Sequence, residues 1–313
     1  MPLLQKNRVY SLLAIKTQEF LKSGQDNGNT LKYAGSGRKE SHGGEELAMN
    51  KDELIHDKIS VPDDVPRTSR PRLLNLVLAS MMAHNSTVIH GRAGTGKTTL
   101  AADFARRAPR PTCWFKIHAA DADLEVFCRY LTATLRSQCP SLDDRHLLQI
   151  TESSAPERAE LLAEALVFQL TDLRTNPVLL VIEDLHLVYD AEWVVPFFQR
   201  WLPLLPSDVH VIITCRSLPP TPLWRMRSKQ MLRVIEESEL AFNFEETLQL
   251  FKTYGLSEEH ARVAVRETNG RAAAISNFAA TPGRAGRAVA DNFLSIEPRH
   301  VRGFGHVTPD FQT

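Results

Sequence analysis

Cysteine is scarce in this sequence, and its four thiols lie far apart. No two of them form a C-x-x-C pair, which argues against a zinc site and against a disulfide framework. The 11 histidines show no H-E-x-x-H spacing, so the zinc-protease motif is missing as well. We therefore expect buried thiols in a reducing compartment, the cytoplasm. The cysteines are Cys113, Cys128, Cys139 and Cys215.

Long apolar runs and an excess of one charge are also missing. No run of about 18 apolar residues occurs, so no segment is predicted to cross a membrane, and the N-terminus lacks the apolar core of a signal peptide. The 37 basic residues balance the 37 acidic ones, so no global field attracts nucleic acid or an anionic membrane. Without a helix-turn-helix pattern or a concentrated basic face, we expect no direct DNA binding.

A glycine-rich stretch carries the strongest chemical signal. It fits G-x-x-x-x-G-K-[ST], the loop that cradles phosphates in P-loop nucleoside triphosphatases. A β-branched segment, Ser86–His90, precedes it, and good helix formers, Thr99–Arg107, follow it. Strand, loop and helix therefore come in the required order, which disfavours a chance glycine turn. The stretch comprises Gly91, Arg92, Ala93, Gly94, Thr95, Gly96, Lys97, Thr98 and Thr99.

The residue types of this loop suit a triphosphate. Gly91, Gly94 and Gly96 allow backbone angles that a side chain would forbid, so that successive N–H groups point at phosphate oxygens. The helix that begins near Lys97 adds the positive end of its dipole. We predict that the Lys97 ammonium binds the β- and γ-phosphates and that the Thr98 hydroxyl binds Mg²⁺.

A second signal is a buried strand that ends in two acids. Val178–Ile182 is continuously apolar, as a strand covered on both faces requires, and Glu183 and Asp184 follow it. This is the Walker B pattern, in which one carboxylate holds Mg²⁺ and the next orients the attacking water. A buried strand that simply ends in solvated acids is the alternative, and the preceding P-loop disfavours it.

Another apolar strand, Val209–Arg216, ends in a positive charge. Arg216 follows the strand at its carboxyl end, where the γ-phosphate is expected, and an arginine there can sense or stabilise phosphate charge. A surface arginine that pairs with a local acid is the alternative.

The remaining pattern completes an α/β domain followed by helices. Further strands are predicted at Thr112–Ile117 and Met231–Ile235, and 140–154 is predicted to be a loop. A helix from Pro156 to about Thr175 should turn Leu161, Leu162, Leu166 and Leu170 inward. Three helices are predicted within 244–280, the first of them capped by Asn243. The flanking segments are poor in residues that could form a core and are expected to be disordered.

Several of these segments together resemble the ATPase module of STAND-class signalling NTPases, in particular MalT-type bacterial regulators related to the large LuxR activators. The P-loop itself is too widespread to be specific. The more specific segments are Arg70–Leu74, Leu180–Leu187, Thr214–Arg216 and Leu240–Glu246, and the resemblance covers roughly residues 60 to 280.

The resemblance implies a P-loop NTPase of the ASCE type, with a parallel sheet in the order 5-1-4-3-2 and a small C-terminal helical subdomain. It also implies ATP and ADP as ligands with Mg²⁺ held by Thr98, Glu183 and Asp184, and Arg70 beside the adenine. Lys97, Glu183, Asp184 and Arg216 are the expected catalytic residues. The implied role is a nucleotide-dependent switch in transcription that self-associates in the ATP state and works with other regulatory proteins.

Two departures from that family concern the site. Glu183 stands where the family usually has Asp, so the carboxylate is one methylene longer. Ala272, in Gly270-Arg271-Ala272, stands where the family has the proline of a Gly-x-Pro element. The sequence is also expected to lack the C-terminal sensor and DNA-binding domains.

We therefore predict four regions: a mostly disordered tail at 1–58, an NTPase domain at 59–237, a helical lid at 238–281 and a flexible tail at 282–313. Slow hydrolysis of Mg-ATP is the expected activity. A nucleotide-binding regulatory module without useful turnover is the alternative. A small-molecule phosphotransferase ranks third, because no acceptor-binding motif is visible.

Overall fold

The computed structural model describes residues 54–281, except 154, 173–176 and 228–230. The predicted C-terminal tail, most of the N-terminal one and the expected helix end at Thr175 lie outside the described residues. The last part of the predicted N-terminal tail does belong to the fold. Lys58 is buried there, its Nζ lies 2.7 Å from Asp121 Oδ1, and it lies over the ring of Tyr130.

Five parallel strands form the central sheet. Their order is β2-β3-β4-β1-β5, which is the predicted 5-1-4-3-2 read from the other edge, so the predicted fold is confirmed. The strands are β1 (Ser86–His90), β2 (Thr112–Lys116), β3 (Val178–Glu183), β4 (Val209–Cys215) and β5 (Leu232–Ile235).

Helices cover both faces of this sheet, and further helices follow its last strand. They are α1 (Pro71–Ala83), α2 (Lys97–Arg107), α3 (Leu124–Arg136), α4 (Asp144–Glu152), α5 (Arg158–Asp172), α6 (Val194–Leu204), α7 (Thr221–Trp224), α8 (Glu237–Leu240), α9 (Phe244–Lys252), α10 (Glu258–Thr268) and α11 (Ala272–Ala280). In the described part of the chain, no helix is long and apolar enough to cross a bilayer.

Side-chain alternation along β2 shows how the two faces are filled. Trp114 packs into the core that α1 and α2 form with the sheet. Its neighbour Phe115 points to the other face, because successive strand residues alternate. There it meets Phe127 of α3, and Phe127 in turn meets Phe197 of α6. Every residue of β3 and β4 is buried, which explains why apolar residues dominate these two strands.

The helices after β5 have a hydrophobic core of their own. Phe242, Leu250, Phe251, Ile275 and Phe278 are among its buried members. Leu240 still belongs to the core under the sheet, so the division between the two cores falls between Leu240 and Phe242.

Two sequence-based predictions were wrong. The expected loop at 140–154 contains helix α4, whose first N–H groups donate to the Asp143 carboxylate. Helix α4 is short and mostly polar, and only Leu147 and Thr151 of it are buried, so its composition resembles that of a loop. On α5, Leu161 is 46% exposed rather than inward, while Leu162, Leu166 and Leu170 are buried as predicted.

The four cysteines are buried thiols that form no disulfide with one another, as the sequence predicted. Burial raises the pKa of the Cys113 and Cys128 thiols to about 12, which leaves them in the unreactive thiol form at neutral pH.

Candidate functional site

The glycine-rich loop connects the carboxyl end of β1 to the first turn of α2. Gly94 and Gly96 have φ values of +76° and +88°, a region that glycine adopts without strain, and Gly96 is the N-cap of α2. The Gly91 N–H donates to Cys215 O at 3.2 Å, which ties the loop to the end of β4. The loop therefore lies where β1 and β4 meet, at the point where the strand order reverses.

Lys97 is buried at the start of α2 and holds the loop from within. Its Nζ donates to Gly91 O at 2.6 Å and to Arg92 O at 2.9 Å. Burial lowers the pKa of Lys97, the Asp184 carboxylate opposes this shift, and Arg216 adds to it.

Thr98 and Glu183 form a pair beneath the loop. The Thr98 hydroxyl donates to Glu183 Oε1 at 2.5 Å. Glu183 is 3% exposed, and its other oxygen, Oε2, is buried without a hydrogen-bond partner. A buried carboxylate oxygen that lacks a partner is costly unless a ligand satisfies it.

This pair fits Mg²⁺, which prefers oxygen ligands and usually takes one or two carboxylates together with substrate phosphates. Within the described residues, no group of three or more His, Cys, Asp or Glu side chains could hold a metal by itself. Such an all-protein cage is not what Mg²⁺ requires.

Asp184 follows in a backbone conformation that few residues other than glycine, asparagine and aspartate adopt. Its φ is +58°, in the left-handed region, and its N–H donates to Thr214 Oγ1 at 3.0 Å on β4. Its Oδ2 lies 3.8 Å from Arg216 Nη2, and its Oδ1 lies 3.7 Å from His186 Nδ1. Burial lowers the pKa of His186, so this imidazole is neutral at pH 7 and Arg216 is the cationic neighbour of Asp184.

A cavity of about 540 Å³ opens in front of these groups. Lys97, Thr98, Asp184 and Arg216 line it together with Ala93, Gly94, Gly96 and Thr99. Arg216 is half exposed, and its acidic neighbour is itself a predicted site residue. The sequence left two roles open for Arg216, contact with a phosphate and pairing with a local acid. Both roles would be carried out in this cavity.

Two residues of the predicted loop point elsewhere. Arg92 is exposed, and its backbone N–H and guanidinium both bind the carboxylate of Glu237. The Thr95 hydroxyl donates to Arg92 O at 2.9 Å, which braces the loop internally.

Arg70 lines the cavity, but its guanidinium is engaged by the helical region. It donates to Leu240 O at 2.9 Å, to Ala241 O at 2.8 Å and to Glu246 Oε2 at 2.8 Å. It also lies 3.9 Å from the centre of the Phe242 ring. The predicted place beside an adenine therefore coincides with the attachment of the helices that follow β5.

The individual residues that form the far wall of the cavity were not predicted from the sequence. Phe242, Leu250 and Tyr254 come from the helical region, and Arg67 lies with its guanidinium 4.9 Å from the Tyr254 ring. Thr68 is 8% exposed, and its hydroxyl has no hydrogen-bond partner. Phe242 lies in the segment Leu240–Glu246 that resembles the family, but no local motif places it in one cavity wall with Leu250 and Tyr254, because these residues come together only through tertiary contacts.

Residues 67–213 match the family described as an AAA ATPase domain. The HTH-type transcriptional regulator MalT of Serratia proteamaculans is 31% identical over 208 residues, which are 63% of this chain and 22% of that protein. MalT of Yersinia enterocolitica is 30% identical over 208 residues, which are again 63% of this chain and 22% of that protein. This chain thus spans about one fifth of the length of these relatives.

Two solved structures show a similar course of the chain. A STAND protein with a tetratricopeptide repeat sensor from Pyrococcus horikoshii has a TM-score of 0.48 at 20% identity, over 67% of this chain and 29% of that one. A Walker-type ATPase of Pyrococcus abyssi has a TM-score of 0.48 at 12% identity, over 76% of each chain.

Proposed function

Since the chain contains a MalT-like P-loop NTPase module, we propose that it binds Mg-ATP in the cavity, hydrolyses it slowly and serves as a nucleotide-dependent switch. The observation that carries the proposal is the convergence of Lys97, Asp184 and Arg216 on one cavity, above the unpartnered oxygen of Glu183. Positive groups at the loop suit a polyphosphate, and the buried carboxylate suits its metal.

Each of these groups has a separate task in the proposal. The N–H groups of the loop and the first turn of α2 bind the phosphates. The Lys97 ammonium exchanges the carbonyls of Gly91 and Arg92 for phosphate oxygens. Thr98 and Glu183 would hold Mg²⁺, which would neutralise phosphate charge when bound.

Asp184 is assigned to the attacking water. Its carboxylate lines the cavity, and the bond from its N–H to Thr214 fixes its backbone. A carboxylate in this place can accept a hydrogen bond from a water and orient it. Arg216, 3.8 Å away, is placed to respond to charge at the γ-phosphate.

The switch acts through the helical region, which forms the opposite wall of the cavity. A ligand that contacts both walls favours the arrangement in which they are close, and this is how nucleotide can change the state of such a module. Self-association in the ATP state, regulatory protein partners in transcription and a cytoplasmic location belong to the same proposal. They rest on the likeness to MalT regulators.

One observation favours a binding module without turnover. Glu183 already bonds to Thr98 at 2.5 Å, so its longer side chain reaches the hydroxyl that should share the metal. Metal affinity then depends on displacing this bond, and the metal position can differ from the one that hydrolysis requires.

The test measures bound nucleotide and phosphate release in the wild type, Lys97→Ala and Glu183→Gln. We expect bound ADP or ATP in the wild type, loss of phosphate release in both variants, and loss of the Mg²⁺-dependent part of ATP affinity in Glu183→Gln. Asp190→Asn, which neutralises an exposed acid outside the cavity lining, is the matched control and should behave as wild type. Nucleotide bound without release in any variant would establish the binding module. A folded wild type that binds no nucleotide would disprove the proposal.

A further inference from the structure

Helix α11 begins directly against the glycine-rich loop. The Ala273 N–H donates to Gly94 O at 2.9 Å. The Arg271 guanidinium donates through Nη2 to Ala93 O at 2.6 Å. Both donors belong to the helical region, and both acceptors are carbonyls of the loop that lines the cavity.

We propose that Arg271 is a positioning residue that holds the glycine-rich loop in its anion-binding conformation from the helical region, so that docking of α11 controls nucleotide release. The inference rests on the proposed nucleotide binding and adds the residue through which the helical region acts. Arg271 is not among the residues that line the cavity and is assigned no contact with the nucleotide.

The carbonyls of the loop explain why outside donors matter. A loop that turns its N–H groups toward an anion must turn its carbonyls away from it, and these carbonyls need donors of their own. In this structure Lys97 serves Gly91 O and Arg92 O, while the helical region serves Ala93 O and Gly94 O. Four consecutive carbonyls are thus satisfied, two from each side.

The donors that serve the four loop carbonyls change when Lys97 binds phosphate. The ammonium then leaves the carbonyls of Gly91 and Arg92, and the Thr95 hydroxyl continues to serve Arg92 O. The donors on Ala93 O and Gly94 O are unaffected, because they come from α11. The contribution of the helical region to the shape of the loop is therefore greatest when nucleotide is bound.

Steric contact reinforces the two hydrogen bonds. A Cβ at Gly94 would lie 2.9 Å from the Cβ of Ala273, and one at Gly96 would lie 3.3 Å from the Cβ of Ala272. The loop and the first turn of α11 therefore approach as closely as glycine allows. A displacement of α11 would remove this steric contact together with the two hydrogen-bond donors, the Arg271 guanidinium and the Ala273 N–H.

The start of α11 is itself fixed by the preceding turn. Gly270 has a φ of +71°, and its carbonyl accepts a hydrogen bond from the Phe242 N–H at 2.8 Å. A Cβ at Gly270 would lie only 2.4 Å from Phe242 O. Arg271 is consequently delivered to the loop by a backbone that only glycine can form, which makes its position a property of the whole helical region.

The experiment measures release of a fluorescent ADP analogue from the full chain after mixing with excess unlabelled ADP. Arg271→Ala should release it about threefold to tenfold faster than the wild type, the range that loss of one hydrogen bond gives. Arg271→Lys should restore part of the difference, because it keeps a donor. The matched control is Arg262→Ala, which removes an exposed arginine of the same helical region that pairs with Glu258.

A role in general stability would give a different result. Arg271 is exposed, so Arg271→Ala should leave the thermal midpoint of the nucleotide-free protein unchanged. Release from Arg271→Ala at the wild-type rate, or equal acceleration in Arg262→Ala, would overturn the inference while nucleotide binding stands. A wild type that does not bind the analogue would overturn the proposed function and the inference with it.

Discussion

Asp184 is the residue whose backbone and side chain have separable roles. Its left-handed backbone, with φ +58° and ψ +37°, costs little for Asp or Asn and more for Ala. We expect Asp184→Asn to abolish phosphate release while keeping the stability of the wild type. Asp184→Ala should lose phosphate release and about 1 kcal/mol of unfolding free energy.

Urea denaturation of the two variants, beside a phosphate-release assay, makes the comparison. Equal stability of Asp184→Asn and Asp184→Ala would show that the left-handed backbone carries no cost here. Phosphate release retained in Asp184→Asn would remove this carboxylate from the proposed chemistry.

At the scale of elements, α1, β1 and β4 share a buried chain of polar groups. His210 Nδ1 donates to His84 O at 3.0 Å, since a carbonyl only accepts, and Nε2 therefore accepts from the Thr87 hydroxyl at 2.9 Å. Thr87 in turn accepts from Ser80 at 2.6 Å. Each hydroxyl or imidazole in this series donates to the next group, from Ser80 through Thr87 and His210 to His84 O. Because Nε2 of His210 accepts a hydrogen bond, the imidazole must be neutral.

This requirement predicts a pH dependence of stability. Burial, with a smaller effect of Arg110, lowers the pKa of His210 to about 3, so the folded protein resists protonation that the unfolded chain accepts below about pH 6.5. The stabilisation is complete above that pH. It is lost as the pH falls, by at most about 1.4 kcal/mol per pH unit.

The prediction is tested by comparing urea denaturation of the wild type and His210→Gln between pH 8 and pH 4, roughly the range over which an unfolded histidine titrates. Glutamine keeps one donor and one acceptor but does not titrate, so the stability difference between the two proteins should shrink as the pH falls. A constant difference across this range would contradict the assignment.

Helix α11 offers a second test at this scale. Arg271 has φ −65° and ψ +121°, which suits a residue before proline, and Ala272 is the first helical residue, whose N–H has no partner within the helix. Ala272→Pro should therefore raise the unfolding free energy by about 0.5–1 kcal/mol. Thermal denaturation checks this, with Asn277→Pro, at an exposed position beyond the first turn of the helix, as a destabilising control.

The elements themselves were largely predictable, and the contacts between them were not. Continuous apolar segments such as Val178–Ile182 identify buried strands, because both faces of a parallel sheet are covered. Helix α4 escaped prediction because its short sequence is mostly polar and was interpreted as a loop. The contact of Arg271 with Ala93 joins positions 178 residues apart, and no local pattern encodes such a pairing.

At the scale of the whole molecule, one acid ties the helical region to the sheet domain. Glu246 Oε2 lies 2.8 Å from Arg70 Nη2 and 3.1 Å from Arg72 Nη2. Burial alone would raise the pKa of Glu246, but the hydrogen bonds from Arg72 and Arg70 outweigh it and lower the pKa. The carboxylate is therefore ionised in the folded protein at neutral pH.

Removing this charge should loosen the helical region selectively. Glu246→Gln leaves the largely buried Arg70 without its counter-charge, which costs about 2–4 kcal/mol for a buried pair. We expect calorimetry to show an earlier transition for the helical region ahead of the sheet domain. Glu258→Gln, which breaks the exposed pair with Arg262, is the control. A single transition at the wild-type midpoint in Glu246→Gln would exclude this role.

The walls of the cavity come from widely separated parts of the chain, from Pro66 to Ser276. During translation, a nascent chain that has just completed β5 contains all five strands, the glycine-rich loop and both acids of the site. It still lacks Phe242, Tyr254 and the first turn of α11. A ribosome-bound chain of that length can assemble the sheet, and it acquires a closed ligand site only after the final described helix has emerged.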